Sequence, residues 1–192
     1  MLENKQVEKI MNTTDSNLSL SLSPIELATV LSFVSADSVI GIPSDLLSSS
    51  QEHPERFQAG VDSLVSRHIL TKQDGKYDGD PLLFLHMAVI AEAWVTITVE
   101  SDDASGLTAY YFASGRGTRL TQTSDGNYDI IPLSSDQKII DHLQHQLKQQ
   151  PNSTLTVYTL QADAPTVVEE LPIDQENLPI TINKLQSIFA EF

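Results

Sequence analysis

With 192 residues and 40 % apolar content, the chain has enough material for one good-sized core or two small packed lobes, which excludes a disordered class. Lys and Arg number 11 against 26 Asp and Glu, a formal charge of −15 that repels phosphates and argues against non-specific nucleic-acid binding. There are no cysteines, so disulfides and thiolate metal sites are excluded.

No apolar run approaches the roughly 20 residues needed to cross a bilayer. The longest, Leu82 to Trp94, is interrupted by His86 and Glu92. The first residues carry no signal-peptide core, so a cytoplasmic location is expected, away from any membrane.

Residues 1–17 are polar and mixed in charge, the composition of a flexible N-terminal arm. Leu18, Leu20 and Leu22 alternate with serines and predict a short strand with one leucine face. Ser23-Pro24-Ile25-Glu26 is a helix start: the Ser23 hydroxyl caps the Glu26 amide, Pro24 sits where no amide hydrogen is needed, and Glu26 reaches back. Leu27, Val30, Leu31 and Val34 form the apolar stripe, and Gly41-Ile42-Pro43 sets the limit of the helix. Ser44 to His53 is serine-rich and predicts a connecting loop.

From Pro54 the pattern is helical again, with Phe57, Val61, Leu64, Val65, His68 and Ile69 on one side. The turn Lys72-Gln73-Asp74-Gly75-Lys76 predicts a two-stranded wing. Asp80-Pro81 caps a third helix carrying Leu82, Leu85, His86, Val89 and Ala93. Residues 18–93 therefore predict a helical, winged-helix-like lobe.

Residues 94–192 predict a sheet lobe packed with it as one unit. Trp94 to Val99, Leu107 to Ala113, Thr118 to Thr123 and Tyr128 to Ile131 are short strands separated by turn signals, an antiparallel meander. Such a sheet commonly buries one face and leaves the other, or an edge, to receive a partner. Trp94 is placed to bridge lobe and sheet. Tyr110, Tyr111 and Phe112 are consecutive, so at least one points away from the face that the others bury. That side chain is a candidate interface anchor unless a packed helix covers it. Arg116, in the Ser114-Gly115-Arg116-Gly117 turn, completes the candidate partner-binding set.

Ser134-Ser135-Asp136 predicts the cap of a helix to about Lys148 with Ile139, Ile140, Leu143 and Leu147 inward, and Thr154 to Leu160 predicts the last sheet strand. Pro165, Pro172 and Pro179 punctuate an acidic segment. Ile182, Leu185, Ile188, Phe189 and Phe192 then form a terminal amphipathic patch that closes the fold or docks on a partner. The expected class is α+β, a helical winged-helix-like lobe on an antiparallel meander with a C-terminal helix.

No constellation predicts catalysis. His142 and His145 stand three apart on a helix but lack a third ligand, and a solvated face explains them. There is no Gly-x-Ser-x-Gly elbow and no His-Glu-x-x-His, so neither an enzyme nor a cofactor or metal site is expected.

The phrases "LSPIELATVLSFV", "GVDSLVSRHILTKQDGKYDGDPLLFL", "WVTITVES", "LTAYYFAS", "GTRLTQTS" and "NYDIIPLS" resemble, in order and type, one half of the EspG-family chaperones of type VII secretion. "LVSRHIL…DGKY" stands where the family has a leucine-arginine-glycine-leucine-like helix end, with His68 in place of the glycine. The resemblance spans Leu18 to Leu160. It implies a cytoplasmic protein that holds a secreted client soluble through its sheet and loops, without cofactor. The other half of the pseudo-symmetric fold is then missing or supplied by a second copy, a homodimer. Two other readings stay open: a winged-helix transcription regulator using residues 54–69, and a small-molecule-binding domain with a crevice between lobe and sheet.

Overall fold

A computed structural model describes residues 19–36, 38–101, 106–150, 153–161, 164–173 and 177–190. Among the described residues are six helices and nine strands, and the class is α+β. The N-terminal arm and Leu18 lie outside them.

Strand β1 (Leu20–Leu22) leads directly into α1 (Pro24–Phe33). The turn between them is held by a reciprocal cap. Ser23 Oγ accepts from the Glu26 amide at 3.4 Å, and the Ser23 amide donates to Glu26 Oε2 at 2.8 Å. Helix α1 is buried from Glu26 through Leu31 without a break, not along one stripe, because three other helices surround it.

The first of these is α2 (Ser44–Glu52), which replaces the loop predicted from the serine content. It has no side-chain cap, but Leu47 is only 2 % exposed in the lobe core. Tertiary burial overrides the weak local preference there.

Helix α3 (Pro54–Ser66) crosses α1 at Gly60. A Cβ on Gly60 would lie 2.0 Å from Thr29 Oγ1 and 2.9 Å from the Ile25 carbonyl, so the close crossing depends on the missing side chain. The helix ends earlier than its apolar stripe suggests. His68 takes φ +59°, its amide bonds the Val65 carbonyl at 3.0 Å, and the Ile69 amide bonds the Leu64 carbonyl at 2.9 Å. This is the left-handed helix end usually given to glycine, and it leaves His68 exposed.

The predicted wing is the ribbon β2 (Leu70–Gln73) and β3 (Lys76–Gly79), turning at Asp74-Gly75. Helix α4 (Pro81–Ala91) follows, with Asp80 accepting from the Leu82 amide at 2.9 Å. Its buried residues are Leu83, His86, Met87, Val89 and Ile90, so the inward face is rotated from the predicted one and Leu82 and Leu85 are only half-buried.

The remaining strands are β4 (Val95–Ser101), β5 (Leu107–Ala113), β6 (Arg116–Gln122), β7 (Tyr128–Leu133), β8 (Ser153–Gln161) and β9 (Ala164–Ile173). Together with β1 they form one antiparallel sheet in the order β1-β7-β6-β5-β4-β8-β9. Because β1 belongs to the first segment and pairs with β7, the sheet crosses the boundary drawn at residue 93.

Three prolines mark positions where a missing amide is tolerated. Pro132 pairs with Thr118 on one side of β7, while β1 covers only Tyr128 to Ile130 on the other. Pro165 and Pro172 lie in β9, an edge strand in place of the predicted punctuation.

Both faces of the central strands are covered, which corrects the expected wet face. Ala109, Tyr111, Ala113, Leu120, Tyr128 and Ile130 pack under the N-terminal helices. Val95, Ile97, Val99, Tyr110, Phe112, Leu155 and Val157 pack under α5 (Asp136–Gln149) and α6 (Leu178–Ala190).

Ser135 caps α5 as predicted, accepting from the Lys138 amide. Ile182, Leu185 and Phe189 of α6 are buried, and the Phe189 ring meets Phe112 edge-on at 5.2 Å. Each such burial contributes about 1.5–3 kcal/mol, so the terminal patch closes its own fold. Phe192 lies outside the described residues.

Candidate functional site

The candidate anchors Tyr110, Tyr111 and Phe112 are 1 %, 0 % and 7 % exposed. They are not free interface anchors, because helices cover β5 from both sides. Tyr110 donates to Gln146 Oε1 of α5 at 2.7 Å, and burial, opposed by Arg119, pushes its pKa up to about 12. Tyr111 points the other way and donates to the Ile40 carbonyl at 2.5 Å, with burial again raising its pKa. Arg116 is half-buried at the start of β6, opposite Ala113 across the Ser114-Gly115 turn.

His142 is half-buried, with Nδ1 3.4 Å from Arg119 Nη1. Burial first, then Arg119, Lys138 and His145, hold its pKa below the ordinary value, with Asp141 opposing. His145 is exposed and contacts Gln149. Among the described residues, no three His, Asp or Glu side chains are grouped to hold a metal ion.

Large apolar side chains are exposed elsewhere, at the junction of lobe and sheet. The chain after α1, the end of α4 and strands β4, β5 and β8 enclose a crevice of about 400 Å³. Trp94 and Leu160 line it and remain 40 % and 45 % exposed. Backbone pairing holds them side by side: the Leu160 amide donates to the Trp94 carbonyl at 3.0 Å, and the Trp94 amide to the Phe112 carbonyl at 2.9 Å.

Ile90, Val39 and Tyr111 make the inner wall. Ser35, Ser38 and Thr96 add hydroxyl-bearing side chains, and no described lining residue is Asp, Glu, Lys, Arg or His. Thr159 Oγ1, on the opposite face of β8 from Leu160, is buried with no hydrogen-bond partner among the described residues. Such a lining attracts apolar groups and offers neutral hydrogen bonds.

The sequence places Trp94 at the lobe–sheet junction but assigns no role to Leu160, Thr159 or Ser35. Alternation along β8 gives the face on which Leu160 lies, but not that this end of the face is uncovered.

Among the described residues, six helices and an antiparallel sheet define an α+β protein with a crevice of mixed apolar and polar lining at its lobe–sheet junction. No protein-family model matches the chain, and no curated protein matches it. No described helix is long and apolar enough to cross a membrane.

Proposed function

We propose that the protein is a non-catalytic, protein-binding module of the cytoplasm, an adaptor or secretion-chaperone-like holder of a client. It receives one apolar side chain of that client in the Trp94–Leu160 crevice. The carrying observation is the pair itself, two large apolar side chains left exposed while lining a cavity. Aromatic anchors in pockets supply much of the energy of protein interfaces. The formal charge of −15 favours a client with basic residues flanking its apolar anchor.

The resemblance to EspG-family chaperones supports the same class of function. A winged-helix-like reading of α1, α3, the β2–β3 ribbon and α4 is the basis of the alternative, a transcription regulator. That reading finds less support, because Arg67, just beyond α3, is tied to Glu26 and to the Ser21 carbonyl. A homodimer would place a second copy in the client's role.

The test is affinity purification from the source cell with the wild-type protein and the Trp94→Ala, Leu160→Ser double variant in parallel. The expected result is a near-stoichiometric partner held by wild type and lost from the variant. Equal capture by both would remove the crevice from the interaction. No partner with either, together with a thermal shift on metabolite screening, would move the assignment to a small-molecule site.

A further inference from the structure

A second crevice, of about 280 Å³, shares no lining residue with the first and opens between β1, β7 and the start of α4. Its walls are largely aliphatic, with Leu20, Ile69, Leu82, Leu83, Ile130 and Pro132 contributing. His86 stands among them and is 9 % exposed. Its Nδ1 lies 2.8 Å from Thr118 Oγ1.

The other ring nitrogen, Nε2, makes no hydrogen bond among the described residues. It is also absent from the sealed, unpartnered side-chain atoms, which are Arg119 Nε and Thr159 Oγ1. Nε2 therefore keeps access to open space, and the open space His86 lines is this crevice.

Buried polar groups are ordinarily paired, so a fixed imidazole with one free nitrogen against aliphatic walls is a buried hydrogen-bonding point, while the other polar lining residues, Ser19, His68 and Asp80, are more exposed. Thr118 is a hydroxyl and can either donate to Nδ1 or accept from it. The ring can thus present Nε2 as a donor or as an acceptor without taking up charge.

The surrounding charges select further. Burial and then Arg116 disfavour the imidazolium, and Asp80 only partly offsets them. Asp80 stands in the lining, where it repels an anion. A cationic group would lose hydration to the aliphatic wall and meet an uncharged ring, with Asp80 as its one acidic partner among the described lining residues.

We infer that this crevice binds a small uncharged ligand with an apolar body and one hydroxyl, amide or carbonyl group, which pairs with His86 Nε2. The inference is independent of the client-binding reading, since a ligand here leaves Trp94 untouched.

Benzyl alcohol is a suitable probe, with benzoate and benzylamine as charged controls of similar shape. The readout is the set of histidine ring signals of the ¹⁵N-labelled full chain. Benzyl alcohol is expected to move the His86 ring nitrogens saturably, with a dissociation constant on the order of millimolar for so small a body. Benzoate, which Asp80 repels, should bind at least about tenfold more weakly, and benzylamine, which Asp80 attracts, separates the effect of that carboxylate from the bond to His86.

The Trp94 indole signal should stay in place. Signals are assigned by their loss in His86→Phe and, should that variant not fold, by the displacement of Nδ1 in Thr118→Val. Three outcomes overturn the site: no movement of His86 up to the solubility of the alcohol, benzoate binding as strongly as the alcohol, or unsaturable drift of every histidine together.

Discussion

Glu26 and Arg67, 41 residues apart, meet with Nη1 2.6 Å from Oε2, and the carboxylate is 2 % exposed while the guanidinium is 42 % exposed. The same carboxylate accepts from the Ser23 amide and from Ser63 Oγ at 2.7 Å. One side chain thus caps α1, holds the end of α3 and, through Arg67, reaches the Ser21 carbonyl of β1.

Burial pushes the Glu26 pKa upward, but the bonds from Ser63, the Ser23 amide and Arg67 outweigh it and bring the pKa below the ordinary 4.5. This contribution is therefore fully present above pH 4.5 and is lost as pH falls through the lowered folded value. Removing Arg67 strands a buried charge. With the guanidinium itself partly solvated, Arg67→Ala should cost about 2 kcal/mol, less than the ~3–5 kcal/mol of a fully buried pair. Urea unfolding of wild type and Glu26→Gln at pH 7 and pH 3 checks this, with the gap between them expected to narrow in acid.

Gly60→Ala should destabilise although alanine is the better helix former. The gain of about 1 kcal/mol in propensity is set against a Cβ forced to 2.0 Å from Thr29 Oγ1, and overpacking of this kind costs about 1–3 kcal/mol. Adding Thr29→Ala removes that atom but leaves the Ile25 carbonyl at 2.9 Å. A double-mutant cycle should then show partial rescue, and strictly additive losses would contradict the crossing geometry.

His68→Gly should stabilise by about 0.5–1 kcal/mol, because glycine takes the left-handed conformation without the strain of a Cβ, less its greater freedom when unfolded. The melting temperature of the variant is the measurement. A fall would mean that the His68 side chain makes a compensating contact.

The His86 pKa is lowered by burial and then by Arg116, against Asp80. The folded state therefore favours the neutral ring, so this contribution is complete above the ordinary 6.5 and diminishes as the unfolded chain takes up the proton below it. Thr118→Val leaves Nδ1 unpaired and should cost about 1–2 kcal/mol. Denaturant midpoints from pH 5 to 8 should rise with pH in wild type and rise less in His86→Phe.

Trp94 is the sole tryptophan, so fluorescence reports directly on the first crevice. Its emission should be that of a partly hydrated indole, shifting to the blue when the client occupies the site. Leu160→Ser, at an exposed position, should change stability by less than about 0.5 kcal/mol while weakening the client. A loss of several kcal/mol would show Leu160 to be structural.

The sequence by itself determined the elements whose causes are local. The Ser23, Asp80 and Ser135 caps, the Asp74-Gly75 and Ser114-Gly115 turns and the alternation of β4 to β8 all act within a few residues, and each is present in the structure. Tertiary structure decided what depends on distant partners. Helix α2 forms because Leu47 finds a core, and β9 is a strand because an edge tolerates Pro165 and Pro172. Tyr110, Tyr111 and Phe112 are covered on both faces of β5, while Trp94 and Leu160 are left open. Period-two alternation sorts side chains between two faces, but whether a face is roofed depends on helices tens of residues away, so the pattern predicts the sheet and not its crevices.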